Sequence, residues 1–309
     1  MIDWQKLQYG LDGLLRRRRQ KRMCPSCGSY SAQRVDRKGF HELLRCGRCE
    51  LLYRWPYENP AEMAHFYQRD YQQPGLTTDL PDPETLHHLL ATCFQGSGKD
   101  FSRVVDLLQM LSVPTGARIL DFGANWGYGV WQFRQAGFSA VGYELSEPRA
   151  AYSKNLGVEV FTNWSEIKNK APFDVVFSSH VLEHTPDPAQ ALRQKLSVLS
   201  PNGWLIAFFP NGSEIFQKAE PTAFHRLWGR VHPVMLNERF IKKVLPGPAL
   251  AFGAYNQKDL EGFKHWDRTS IWMGTMDTSE MLMLWNRSGM VSEEHNNSSN
   301  NTDHRLNGF

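Results

Sequence analysis

The chain is sparing with the features that would send it to a membrane, a secretory route or a fibrous array. No run of about eighteen apolar residues occurs, so a spanning helix is not expected. No apolar stretch follows the N-terminus as a secretory signal would require, and the expected location is therefore cytoplasmic, with reduced thiols. Neither sign of charge dominates: 35 Lys and Arg stand against 32 Asp and Glu, a net charge of +3, which argues against a strongly polyanionic main substrate. No internal repeat is visible. The chain has only five cysteines, and four of them fall into two pairs. What it does have is 41% apolar residues, enough to bury a real core, together with ten Trp and eighteen Phe that suggest aromatic-lined surfaces.

The most informative stretch is Ile119-Leu-Asp-Phe-Gly-Ala-Asn-Trp-Gly-Tyr-Gly129. Arg118 to Phe122 is the short apolar run of a buried parallel strand. Gly123, Gly127 and Gly129 allow a tight turn and a close approach of backbone to ligand. Val130 to Gly137 reads as a helix, and Ala140 to Tyr143 as a second strand ending at Glu144. A carboxylate there accepts both hydroxyls of a ribose. The glycines do not fit the Gly-x-Gly-x-x-Gly spacing of a dinucleotide site. Asp121 at the strand end would repel a diphosphate and favour an ammonium or sulfonium. The expected ligand is a cationic nucleoside.

On these residues, with Val141–Glu144 and Phe173–Pro188, the chain resembles the class I S-adenosylmethionine-dependent methyltransferases over roughly residues 100 to 288. The resemblance implies an α/β fold with a doubly wound, mostly parallel seven-stranded sheet. Donor-binding roles fall to Asp121, Gly123, Ala124, Asn125, Gly127, Glu144, Leu145, Asn163, Ser178 and Ser179. Asn125 departs from the family, which usually has glycine there; asparagine tolerates the left-handed conformation better than other side chains. Further strands are expected at Val158–Phe161, Val175–Phe177, Trp204–Phe209 and Glu280–Trp285. A helix is expected over Ala189–Leu199 and a turn at Pro201-Asn202-Gly203.

Upstream, Cys24-Pro-Ser-Cys27 and Cys46-Gly-Arg-Cys49 have the spacing of a four-thiolate zinc ribbon, each pair on a tight turn supported by Gly28 or Gly47. Two disulfides are disfavoured by the expected compartment, and a thioredoxin-like motif would use one pair within a strand–helix unit. Cys93, alone in a helical stretch, is expected to be buried. The expected organisation is a basic helix and ribbon over 1–57, a helical linker over 58–112, the methyltransferase domain over 113–290 and a disordered tail over 291–309. In the linker, Glu84–Phe94 and Ser102–Leu111 have helical spacing, and Phe66-Tyr67 with Asp70-Tyr71 either covers the donor cleft or belongs to an inter-domain core. Arg16–Arg19 with Lys21 and Arg22 is the one dense basic cluster. It reads either as a phosphate-, lipid- or nucleic-acid-binding patch or as a solvated face following a helix over Trp4–Leu15.

Methyl transfer needs alignment, exclusion of water and, for a hydroxyl acceptor, a base. Candidate groups are His180, Glu183, His184, His225 and His232, with His184 in the Leu-Glu-His turn and His232 in Trp228-Gly-Arg-Val-His-Pro233 foremost. His184 has the alternative role of holding the turn through a backbone bond, and His225 a structural one. Trp228, Tyr255 and Trp266 either stack on a sugar or fill the core. The ribbon, aromatic linker and histidine segments resemble bacterial sugar methyltransferases, which implies a small-molecule or glycan acceptor methylated on oxygen or carbon. An RNA base methyltransferase and a non-catalytic donor-binding module are the rival readings.

Overall fold

The computed structural model describes residues 13–59, 62 and 79–287. Most of the helix expected at Trp4–Leu15, the Phe66–Tyr71 stretch and the 291–309 tail lie outside them. The N-terminal module is an antiparallel meander of β1 (Ala32–Lys38), β2 (His41–Cys46) and β3 (Leu52–Trp55). Its first cysteine pair is closed by Gly28 at φ 70°. At the second pair the left-handed residue is Glu50, at φ 68°, and not Gly47. Residues 13–19 are helical and run across this meander.

The larger sheet begins with β4 (Arg118–Phe122), β5 (Ser139–Tyr143), β6 (Val160–Phe161), β7 (Phe173–Ser179) and β8 (Leu199–Pro210), all mutually parallel. After β9 (Val234–Met235), which leaves this sheet, β10 (Leu250–Gly253), β11 (Trp272–Met273) and β12 (Glu280–Asn286) complete it in the order β11-β10-β12-β8-β7-β4-β5-β6. This is the doubly wound, mostly parallel arrangement expected, with β12 antiparallel to both neighbours. The seven expected strands become eight because the two-residue β11 pairs with β10 at the edge. Helices cover both faces, so strand interiors are apolar without alternation: Val175, Val176, Phe177, Leu205 and Ile206 are all fully buried. β5 and β7 flank β4 on opposite sides, which puts the chain reversal, and the crevice it opens, at the carboxyl ends of these strands.

Two local expectations are corrected. Pro201–Gly203 is not a turn outside the sheet; it lies within β8, where the register slips between Phe173↔Leu199 and Val175↔Trp204 and absorbs the extra residues. Cys93 is exposed, because the helix Pro83–Ala91 ends before it and the backbone turns at φ 49°.

β9 joins the two parts of the molecule. It pairs antiparallel with β3, Leu52↔Met235 and Tyr53↔Val234, so the meander's sheet is finished by a strand that follows β8 of the larger sheet. A small core of Leu43, Leu52, Phe216, Phe224, Trp228 and Met235 fills the space beneath. Trp228 is thus a core residue, and its indole Nε1 donates to Asp36 Oδ2 at 2.7 Å. His225 Nδ1 bonds the same oxygen at 2.7 Å. Trp266 is also buried, donating to Ser270 O. Replacing Asp36 by Ala leaves the buried indole without its acceptor and is expected to cost about 1–3 kcal/mol. Urea denaturation checks this; an unchanged midpoint would show that the seam does not depend on that bond.

Candidate functional site

The turn after β4 is built for close approach. Gly123 has φ 89°, and a Cβ there would collide with Val181. Asn125 adopts φ 52°, the left-handed conformation that asparagine accepts. Glu144, just past β5, takes backbone N–H groups from both sides of the crevice: Asn125 N at 3.0 Å on Oε2 and Ser146 N at 2.8 Å on Oε1. These bonds fix the carboxylate while leaving it further lone pairs. Burial pushes the Glu144 pKa up, although these amides and Arg149 pull against the shift. Asp121, 4% exposed at the end of β4, is pushed up to about 7 by burial and then by the Glu144 charge. Two carboxylates thus share a low-dielectric corner, and the cost of ionising both falls when a cation joins them.

Glu144 borders a cavity of about 1410 Å³, and Asp121 lies behind its wall with Oδ2 against Gly129. Gly123, Asn125, Tyr128, Glu144 and the 65%-exposed Leu145 line one end. Tyr53, Arg54, Tyr57 and Glu58 of the N-terminal module line the other, with Ser179, His180 and His184 between. Arg54 is 1% exposed and forms an ion pair with Glu58.

The middle of the cavity is a charged network. His180, at φ 52°, places Nδ1 3.2 Å from Glu183 Oε1 and Nε2 2.8 Å from Glu280 Oε1. Burial lowers its pKa, but the Glu183 and Glu280 hydrogen bonds and charges outweigh that and raise it to about 10. His180 is therefore a held cation at neutral pH and not a free base. Glu183 is fully buried; burial raises its pKa, but His180 and the neighbouring histidines hold it below the usual range. His184 is pushed down, by burial first, against the opposing pull of Glu183, and its Nδ1 bonds Val231 O at 2.7 Å. The His232 ring lies 4.9 Å from that of His184, centroid to centroid.

The four cysteines expected to bind metal are brought together, with Sγ atoms 3.5 Å apart for Cys24–Cys49 and 3.5 Å for Cys27–Cys46. Four thiolates bonded to one zinc at about 2.3 Å sit about 3.8 Å apart, so the set fits a tetrahedral ion. Cys46 Sγ also accepts N–H groups from Arg48 and Cys49.

Other sequence-assigned residues are placed differently. Ala124 is buried beneath the turn, and Ser178 is 1% exposed with its hydroxyl in the core. Asn163 caps the helix Trp164–Lys170, accepting from Ser165 N, and is not on the cavity wall. His225 is tied to Asp36, and Tyr255 packs under Arg103 at 5.6 Å. Half of the basic cluster is engaged in ion pairs: Arg17 and Arg22 both pair with the 2%-exposed Glu42 and flank the Trp55 ring, and Arg16 pairs with Glu58 and Glu62, while Arg18, Arg19 and Lys21 are exposed. Sequence reasoning missed Tyr53, Arg54, Tyr57, Glu58 and Glu280 as cavity or network residues. No local signal marks them, because strand pairing alone brings them there.

Residues 97–244 match a family described as a methyltransferase domain. A ubiquinone biosynthesis O-methyltransferase of Ralstonia nicotianae is 31% identical over 108 residues, 32% of this chain and 45% of that protein. A tRNA U34 carboxymethyltransferase of Klebsiella pneumoniae is 28% identical over 177 residues, 52% of this chain and 50% of that protein. The chain thus spans about half the length of the curated relatives it matches. The magnesium protoporphyrin IX methyltransferase of Synechocystis PCC 6803 gives a TM-score of 0.47 at 15% identity, covering 75% of this chain and 100% of the other. The larger sheet has the Rossmann-like methyltransferase arrangement, and the methyltransferase-domain match falls on it. These relatives are not sugar methyltransferases. Among the described residues no helix is long and apolar enough to cross a membrane.

Proposed function

We propose that the protein transfers a methyl group from S-adenosylmethionine to a hydroxyl-bearing small molecule, a sugar or sugar nucleotide being the favoured class, and that the cysteine cluster holds a structural zinc ion. The observation that carries the reading is the Asp121–Glu144 pair, two carboxylates pushed up in pKa at the crevice of a parallel sheet and suited to a cation beside a ribose. When bound, S-adenosylmethionine supplies an electrophilic methyl group on a sulfonium. Glu144 accepts ribose hydroxyls, Asp121 adds negative charge from behind the cavity wall, and Leu145 offers an apolar surface to the base.

The acceptor occupies the end walled by the N-terminal module, where Tyr57 presents a half-buried ring beside the buried Arg54–Glu58 ion pair. His184, on the cavity wall, takes the acceptor proton when its Nε2 is unliganded, and His180, already protonated, orients Glu183. Ion pairs engage Arg16, Arg17 and Arg22 and leave Arg18, Arg19 and Lys21 as the cluster's exposed cations, a smaller patch for RNA than the sequence offers. A radiolabelled methyl-transfer screen over nucleotide sugars, lipid-linked sugars, small phenols and tRNA tests the reading. Transfer to tRNA alone would replace the small-molecule acceptor, and donor binding with no transfer would favour a non-catalytic module.

Three outcomes are expected. Glu144→Ala weakens donor binding by about 1–3 kcal/mol, the worth of lost hydrogen bonds to a charged group; unchanged affinity in calorimetry would remove Glu144 from the ribose role. Asp121 is protonated below about pH 7 and a cation favours its ionised form, so donor affinity rises as pH passes upward through about 7. Calorimetry near that pH in two buffers of different ionisation enthalpy is expected to show proton release, and proton uptake would contradict it. Chelation of zinc unfolds the N-terminal module and leaves S-adenosylhomocysteine binding in place. Circular dichroism and calorimetry on the chelated protein read both, and loss of donor binding with the metal would show that the crevice needs the module.

A further inference from the structure

Glu183 lies on the single turn Leu182–His184 after β7, fully buried, and its Oε2 has no hydrogen-bond partner. The buried Lys195 does not bond it; its ammonium lies 3.4 Å from the Phe122 ring centroid and itself has no hydrogen-bond partner. Two imidazoles close on this carboxylate. Nδ1 of His184 donates to Val231 O at 2.7 Å, and Nδ1 of His232 donates to Leu227 O at 2.7 Å. A carbonyl only accepts, so Nδ1 holds the proton in both rings, and in each neutral ring the lone pair is on Nε2. The His184 Nε2 is 4.0 Å from Glu183 Oε1, and one donor atom each of Glu183, His184 and His232 lies within 4.8 Å of the others.

We infer that Glu183, His184 and His232 form a binding site for a first-row divalent cation on the wall of the cavity. Two neutral nitrogens and one carboxylate are a ligand set for such ions, and three protein ligands leave a position open. Backbone carbonyls that fix each imidazole through Nδ1 are the usual outer support of a metal-bound histidine. Donors bonded at about 2.0–2.2 Å sit about 3.4 Å apart around a tetrahedral ion, so about an ångström of side-chain adjustment closes the set. The carboxylate atom nearer His184 is Oε1, which His180 Nδ1 also contacts at 3.2 Å, so the ion would share that oxygen with His180. Because His184 lines the cavity, the open position faces the acceptor's end. The site is distinct from the cysteine cluster in ligand type, nitrogen and oxygen against sulfur. Its existence goes beyond the methyl-transfer reading; only the role of holding an acceptor oxygen rests on that reading.

The test is metal stoichiometry on tag-free full-length protein, loaded with excess zinc and dialysed. Elemental analysis is expected to give two zinc ions per chain in the wild type and one in His232→Ala and Glu183→Gln. Cobalt-loaded variants are expected to keep the sulfur-to-cobalt charge-transfer band of the cysteine site and to lose the weaker absorption of the second ion. Where circular dichroism shows that His232→Ala does not fold, His232→Gln is read in its place. One zinc ion per chain in the wild type, or two retained in the folded variants, overturns the inference. S-adenosylhomocysteine calorimetry on the same samples separates the two readings. Donor binding with one metal ion defeats the cation site alone, and two metal ions without donor binding defeat the methyl-transfer reading alone.

Discussion

Two residues of backbone pairing, Leu52 and Tyr53 against Met235 and Val234, hold the architecture of the site together. Arg54 N extends the pairing to Pro233 O at 2.7 Å. Through this seam the N-terminal module becomes the far wall of the donor crevice. The same pairing fixes the segment just before β9, and so sets His232 beside His184. Side-chain bonds reinforce it, Ser26 to Asp187 at 2.7 Å and Asn237 to Glu50 O at 2.9 Å, so the module and the methyltransferase domain share one packed interface.

The electrostatics divide the cavity into two ends of different character. At the donor end two carboxylates stand close in a buried corner, and a positive ligand relieves their mutual repulsion. At the acceptor end the carboxylates are already answered by histidines, with His180 held between Glu183 and Glu280. The strand ends supply this asymmetry, because β4 and β5 deliver Asp121 and Glu144 to one side of the reversal point while β7 delivers His180 and Glu183 to the other.

The basic cluster shows why composition alone misleads. Six Lys and Arg within seven residues, Arg16 to Arg22, read as a polyanion-binding patch or a solvated face. In the folded chain Glu42 is 2% exposed and accepts ion pairs from Arg17 and Arg22, whose guanidinium groups flank Trp55 at 4.9 and 5.0 Å. These two arginines offset a buried carboxylate and stack on an indole, while Arg18, Arg19 and Lys21 stay exposed. Nothing in the local sequence marks Glu42 as their partner, since twenty residues or more separate them along the chain.

Local chemistry was sufficient for the strand–turn–strand around Asp121 and Glu144, for the left-handed Asn125 and for the cysteine spacing. In each case the demand is met within a few residues, by a glycine, an asparagine or a Cys-x-x-Cys turn. Tertiary structure alone decided that Trp228 is core, that Asn163 is a helix cap off the cavity wall, and that Cys93 is exposed. It also decided that Tyr53, Arg54 and Glu280 reach the cavity or its histidines. Those outcomes depend on which distant strands pair, and pairing between β3 and β9 is set by the burial of a shared apolar core, Leu43, Leu52, Phe216, Phe224, Trp228 and Met235, that no contiguous window of sequence contains.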